Sequence, residues 1–328
     1  MVKVAIAGGS SPTLGRSIVK AILATNGRHT PIILSRRKPR NSGTPDDENF
    51  SVVNGQRVET RYVDYHDQGT LVAALRDIHT VISVILIPDS MDFVTTHVNL
   101  LHAAREAGVK RFAPSEWALG SRAHDKADND AAKIEVWREV ERSGGLEATR
   151  FVCGGFMNYL GIGCPGPREK REEALAGFRE VPYLFNVAEG WAEIPLKEDG
   201  SYPRLTMTEI GDIGRFVAAA LDLERWETEM PMAGDVLGFG EVVKLAEKVT
   251  GRRFRVKEVT KEQFQKEIEG LAPEDWIRHM ECTYSKIFCD DQIGETVLDP
   301  LLNRLCPQVK PITVAQYLEK YWGQSEAK

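Results

Sequence analysis

The chain has 328 residues, 42% hydrophobic and 27% charged, which is the composition of a soluble globular protein long enough for two domains or for one with a large appendage. Its formal net charge of -6 argues against nucleic acid or an anionic membrane as the main partner. The five cysteines, Cys153, Cys164, Cys282, Cys289 and Cys306, are odd in number and lack C-x-x-C or paired Cys/His spacing, which points to a reducing compartment and away from structural zinc.

The first predicted strand starts at Val2, breaks at Gly8 and Gly9, and gives way to helical spacing after Gly15. A strand, a tight turn and a helix N-terminus gather free backbone N–H groups and the positive end of a helix dipole, which suits the pyrophosphate of a dinucleotide. Gly9, Ser11, Thr13, Leu14 and Gly15 are the expected contacts; a purely structural turn is the alternative. The spacing is G-x-x-P-x-x-G, so Pro12 stands where a middle glycine is usual. Having no N–H, it suits the first helical position, where its fixed φ is favourable. The second strand, Pro31–Leu34, ends in Ser35-Arg36-Arg37-Lys38. An acid there would accept from the ribose hydroxyls of NAD, whereas a hydroxyl and cations suit the extra 2′-phosphate of NADP. Arg36, Arg37 and Lys38 therefore favour NADPH, with a solvated loop as the other reading.

A polar excursion over residues 40–49 precedes a third strand at 58–63, a helix at 68–76 and a fourth strand at 80–85. Phe93, Val98, Leu100, Leu101 and Ala104 mark a helix over 92–108 closed by Gly108. A short strand at 110–113, a helix at 130–143 and a strand at 147–152 follow. This alternation predicts an α/β fold, a doubly wound, Rossmann-like parallel sheet with its ligand at the carboxyl ends of the strands. The nucleotide-binding domain is expected over 1–155, and a smaller mixed α/β C-terminal substrate lobe over 156–328, with some segments returning to the first domain. In that lobe Trp191–Pro195 reads as a strand and 208–223 as an amphipathic helix, with Asp212 read as a surface charge and a polar contact at a domain junction as the alternative. Helices are also predicted over 239–250, after the capping box of Thr260 and Gln263, and over 313–322. These pieces are too scattered to predict a core of their own. The chain enters its first strand at once, and no apolar run approaches the ~20 residues that span a bilayer, so a cytoplasmic protein is expected.

Three stretches carry a resemblance: the glycine turn; Glu106-Ala-Gly-Val-Lys-Arg-Phe-Ala-Pro-Ser-Glu116; and Lys133-Ile-Glu-Val-Trp-Arg-Glu-Val-Glu141 with its continuation Gly154-Gly-Phe-Met-Asn-Tyr159. Together they resemble the NmrA-like and isoflavone reductase-like branch of the atypical short-chain dehydrogenase/reductases. The likeness is strong over the first 160 residues, loose over 206–247 and poor over 165–190, where substrate would be selected. It implies that Lys133 is catalytic and also reaches the cofactor, polarising a carbonyl or phenolate and handling a proton if desolvation lowers its pKa. It also places Phe156 near the nicotinamide ring, with core packing after a strand as an equal alternative. The Y-x-x-x-K pair of ordinary short-chain reductases is missing, because Asn129 stands four residues before Lys133. The family's P-S-E-F-G becomes Pro114-Ser115-Glu116-Trp117-Ala118, which leaves that loop's geometry open. Seven histidines show no metal-ligand spacing, and His124 alone falls near the expected cleft.

The function this implies is an NADPH-dependent reductase of a small conjugated or carbonyl-bearing aromatic or secondary metabolite. Tyr183, Phe185 and Trp191 are expected around its substrate. Two alternatives stand beside it: a non-catalytic NAD(P)-binding redox sensor acting on a partner protein, and an isomerase or cyclase on the same scaffold. A small molecule is the expected partner, with no nucleic acid, membrane or metal. A homo-oligomer is left open.

Overall fold

The computed structural model describes residues 1–36, 49–127, 130–178 and 180–323; Arg37 and Lys38 lie outside them. The main sheet contains β1 (Val2–Ala7), β2 (His29–Ser35), β3 (Phe50–Val53), β4 (Gln56–Tyr62), β5 (Thr80–Ser83), β6 (Arg111–Ala113) and β7 (Glu147–Ala148). Its order is β3-β4-β2-β1-β5-β6-β7, and all pairs are parallel except the β3–β4 hairpin. Without that edge hairpin the order is the doubly wound dinucleotide-binding one, with its reversal between β1 and β5.

Alternation along the strands assigns the two faces. Val4, Ile6 and Ile33 meet Ile18, Val19 and Ile22 of α1 (Leu14–Leu23), while Ala5, Ala7, Ile32 and Leu34 face the opposite layer. That layer is α2 (Gln68–Leu75), α3 (Ser90–Glu106) and α4 (Ala131–Ser143), contributing Leu71, Leu100, Leu101 and Trp137. Burial on both sides explains why these strands read as continuous apolar runs.

The predicted strand at 147–152 is divided. Glu147 and Ala148 stay in the main sheet, whereas β8 (Arg150–Val152) pairs with a distant strand at Glu229–Pro231. Beyond it come β9 (Gly155–Phe156), α5 (Arg168–Leu175), β10 (Phe185–Asn186), β11 (Trp191–Pro195) and β12 (Arg204–Thr208). Helix α6 (Ile210–Ala220) lies against α1, and the contact is close because Gly214 has no side chain: a Cβ there would come within 2.7 Å of the Ser17 carbonyl oxygen. The remaining elements are β13 (Glu229–Pro231), β14 (Asp235–Gly238), α7 (Phe239–Thr250), β15 (Arg255–Val259), α8 (Lys261–Gly270), α9 (Trp276–Phe288), α10 (Leu301–Leu305) and α11 (Val314–Trp322).

Two expectations are corrected here. The C-terminal segments do gather a core, with Phe185, Ile194, Phe239, Phe288, Tyr317 and Leu318 among its fully or almost fully buried members. Asp212 is wholly buried rather than a surface charge on α6: it accepts a hydrogen bond from the Ile312 N–H at 2.7 Å and pairs with Arg215, tying α6 to the chain that leads into α11.

Candidate active site

The turn after β1 is shaped by close approach. Gly8 has φ +82°, and a Cβ on Gly15 would lie 2.3 Å from the Gly8 carbonyl oxygen, so only glycine lets the helix start this near the strand. The Gly9 N–H donates to Ile6 O at 3.0 Å, and the Ser11 and Thr13 hydroxyls are 2.9 Å apart. The first bonds returning from α1 are Arg16 N–H to Ser11 O and Ser17 N–H to Thr13 O, so the Leu14 and Gly15 amides open the helix ahead of them. Pro12 does not take the first helical position. Thr13 is the N-cap and Pro12 precedes it, exposed, with Gly177 packed against its ring and carbonyl.

Arg36 is exposed at the carboxyl end of β2. Sequence reasoning missed its neighbour Tyr65. Burial raises the Tyr65 pKa against the opposing charge of Arg36 and the nearby Gly8 backbone, which places its hydroxyl beside the glycine turn. It lies beyond the end of β4 and carried no motif.

Lys133 is held in a network drawn from two elements, the start of α4 and α9. Its ammonium lies 2.8 Å from Asp130 Oδ1, and the Tyr284 hydroxyl of α9 donates to that same oxygen at 3.1 Å. Burial alone would lower the lysine pKa; Asp130 foremost, then Tyr284 and Glu116, raise it well above the ordinary value. The neighbouring charges thus outweigh desolvation and favour the ammonium form, a hydrogen-bond donor, over the free amine that desolvation alone would give. Asp130 and Tyr284 were missed as site residues: Asp130 read only as a helix start, and Tyr284 is remote in sequence.

The changed P-S-E-W-A loop has a definite geometry. The Trp117 indole N–H donates to Ser83 O at 2.8 Å, its ring stacks on Phe151, and the Cys153 and Gly154 amides both donate to Ala118 O. This fixes the loop to the end of β5, whose following residue Val84 packs against Gly8. Ser115 is half-buried, while Glu116 is 1% exposed and turned inward. Burial pushes the Glu116 carboxyl up to about 7 despite the opposing charges of Lys133 and Arg150. His124, also buried, is pushed down to about 4 by burial and then by Lys133. The Glu116 carboxyl therefore stabilises the fold fully below its unfolded pKa near 4.5, and this contribution is lost as pH rises through about 7. Glu116→Gln should remove a loss on the order of 2–3 kcal/mol across that interval in denaturant melts taken at pH 4.5 and 8. An identical pH dependence in both proteins would contradict the burial argument.

Phe156, half-buried on β9, begins an aromatic row. Its ring centroid is 5.1 Å from Phe178, which lies 5.1 Å from Tyr159, and Tyr159 is 5.9 Å from Tyr183. Because Phe178 follows Gly177, the row starts beside Pro12 and ends where the Tyr183 hydroxyl donates to Glu281 O of α9. Of the other expected pocket aromatics, Phe185 is core, stacked on Phe239, and Trp191 lies in β11, paired with Asn186 and Arg255. All five cysteines are free and buried. Among the described residues no cluster of three or more metal-ligating side chains occurs, and no helix is long and apolar enough to cross a membrane.

Known proteins share this organisation. Oxidoreductase BOA1 of Botryotinia fuckeliana is 32% identical over 261 residues, covering 77% of this chain and 78% of that protein. Bifunctional pinoresinol-lariciresinol reductase 2 of Thuja plicata is 26% identical, with 97% and 98% of the two chains covered. Among solved structures, AtPrR2 with NADP+ and (+)pinoresinol superposes with a TM-score of 0.73 at 20% identity over 98% of each chain, and isoflavone reductase with 0.69 at 23% over 97% and 99%. The sequence model described as the NmrA-like family matches residues 2–318, and with that match spanning nearly the whole chain, this protein belongs to the NmrA-like family.

Proposed function

We propose that the chain is a cytoplasmic NADPH-dependent oxidoreductase that reduces a small conjugated or carbonyl-bearing aromatic molecule. The observation that carries this reading is the half-buried Lys133, its ammonium paired with Asp130, at the carboxyl end of a dinucleotide-type sheet. Relatives named as oxidoreductase and as pinoresinol-lariciresinol reductase, and a structural neighbour holding NADP+, support it.

The residues present fit a dinucleotide. The Gly8–Gly15 approach leaves a cradle that any Cβ would fill, the opening amides of α1 face it, and the Tyr65 hydroxyl lies near Gly8 and Arg36. Gly9, Ser11, Thr13, Leu14 and Gly15 would hold the pyrophosphate, and Arg36, with Arg37 and Lys38, the 2′-phosphate. Phe156 would flank the nicotinamide. NADPH when bound supplies a hydride. Lys133, fixed by Asp130 and Tyr284, donates a hydrogen bond to the oxygen on which negative charge develops, and its charge costs no reorganisation at that moment. The aromatic row from Phe156 to Tyr183 supplies faces for a planar acceptor and excludes water from it.

Titration with both cofactors tests the first half of the reading. NADPH should bind at least about tenfold tighter than NADH, since one charge-assisted phosphate contact contributes ~1.5–3 kcal/mol, and the Arg36→Ala, Arg37→Ala double variant should lose most of that preference. Equal affinities in the parent protein would remove the cofactor assignment. Consumption of NADPH across enones, quinone-like phenolics and ketones tests the second half.

A further inference from the structure

We infer that Phe178 is a specificity-determining residue whose place beside the acceptor is set by the dinucleotide turn, through the seat that Pro12 provides for Gly177, so that cofactor and acceptor strengthen each other's binding. The inference rests on the reductase reading above and names the contact that joins its two half-sites.

The chain from 174 to 178 is a tight turn anchored at one end. The Ala174 carbonyl accepts from the Asn158 side-chain amide at 2.8 Å and from the Tyr317 hydroxyl at 2.7 Å, and all three residues are fully buried. Ala176 then closes α5 at φ +45° with its N–H on Glu172 O, Gly177 follows at φ +82°, and the Phe178 N–H returns to Leu175 O at 2.9 Å. Two consecutive left-handed residues, one of them bearing a side chain, persist only where their surroundings hold them. Two contacts do so here. Ala176 and Phe178 pack on the core that α1 and α6 share, and Gly177 lies so close to the glycine turn that a Cβ would stand 2.6 Å from Pro12 O and 2.9 Å from Pro12 Cβ.

This contact joins two places with different tasks. Pro12 stands between Ser11 and Thr13, whose hydroxyls are 2.9 Å apart and which would face the pyrophosphate. Phe178 stands between Phe156 and Tyr159, with its ring centroid 5.1 Å from each, and it is half-buried, so part of the ring stays open to a planar acceptor. Phosphate binding that fixes residues 11–13 therefore fixes the surface on which Gly177 rests, and with it the Phe178 ring. An acceptor that follows has less of its pocket to order. Linkage makes the effect reciprocal, so the acceptor tightens the cofactor by the same factor. Proline suits the seat because its ring removes the backbone freedom that a glycine at the same place would keep. Pro12 and Gly177 are thus positioning residues, and Phe178 is the one that meets the acceptor.

The test uses the full chain, with NADP+ as the probe of one half-site and, for the other, the aromatic acceptor reduced fastest among enones, quinone-like phenolics and ketones. In the parent, saturating NADP+ should slow amide exchange over residues 175–178. Pro12→Gly, which restores the usual glycine, should bind NADP+ within about fivefold of the parent, the scale of a change in loop entropy. It should nevertheless lose the NADP+-dependent slowing at 175–178, and its acceptor KM should rise at least about tenfold with kcat little changed. Phe178→Ala should keep the slowing and raise KM at least about fivefold for the aromatic acceptor, but not for a counterpart carrying an alkyl group in place of the ring. NADP+ binding to the parent with unaltered exchange at 175–178, or parental KM values in either variant, overturns the coupling alone. A parent that binds NADP+ but reduces no acceptor overturns the reductase reading and the inference with it.

Discussion

Lys133→Met should lower turnover by about 10²–10³ while leaving NADPH binding measurable, because the variant keeps the side-chain length and removes the ammonium proposed to meet the developing oxyanion. The substitution also leaves the Asp130 carboxylate buried without its counter-charge, and breaking such a pair costs about 3–5 kcal/mol. The stability loss and the catalytic loss are separable. Adding Asp130→Asn removes the stranded charge, so the double variant should regain much of its melting temperature and none of its turnover. A Lys133→Met protein that reduces acceptor at the parent rate would make the lysine a structural residue.

Gly15→Ala is expected to damage cofactor binding and folding together. Its single added carbon would stand 2.3 Å from the Gly8 carbonyl oxygen and 3.0 Å from the Gly9 Cα, both backbone atoms that cannot rotate away. Either α1 withdraws from β1, losing the cradle, or the turn opens. Overpacking of this kind costs about 1–3 kcal/mol, and displacement of the opening amides should weaken NADPH by at least about tenfold, or 1.4 kcal/mol. Calorimetric titration beside thermal melts measures both. A variant with parental affinity and melting temperature would show that the turn does not depend on this contact.

The nucleotide-type half was legible because its strands are buried on both faces and its helices carry one apolar stripe, so the pattern of the chain is the pattern of the sheet. The β3–β4 hairpin was missed although Asn54-Gly55, both at positive φ, is a strong hairpin signal; the polar stretch before it masked the short β3. Strand 147–152 was read as one because nothing local announces that Arg150–Val152 takes a partner some eighty residues away. Lys133 was found through motif spacing, whereas its protonation state could not be: that depends on Asp130, one helical turn earlier, and on Tyr284 from α9. The same holds for Glu116 and His124, whose burial decides their chemistry, and for Asp212, which reads as a helix surface charge until α6 is placed against the chain leading into α11.

The most direct test of the central claim is isotopic. Purified protein is supplied with NADPH carrying deuterium at the transferable nicotinamide position and with a panel of enones, quinone-like phenolics and aromatic ketones, and the products are read by mass spectrometry. The account predicts at least one acceptor that gains a single deuterium per molecule as NADPH is consumed in equal amount, with this transfer lost in Lys133→Met. NADPH bound but unconsumed across the panel, with no deuterium in any product, would contradict it; a protein partner whose affinity follows nicotinamide redox state would then establish a sensor, and conversion of an acceptor without cofactor oxidation an isomerase or cyclase.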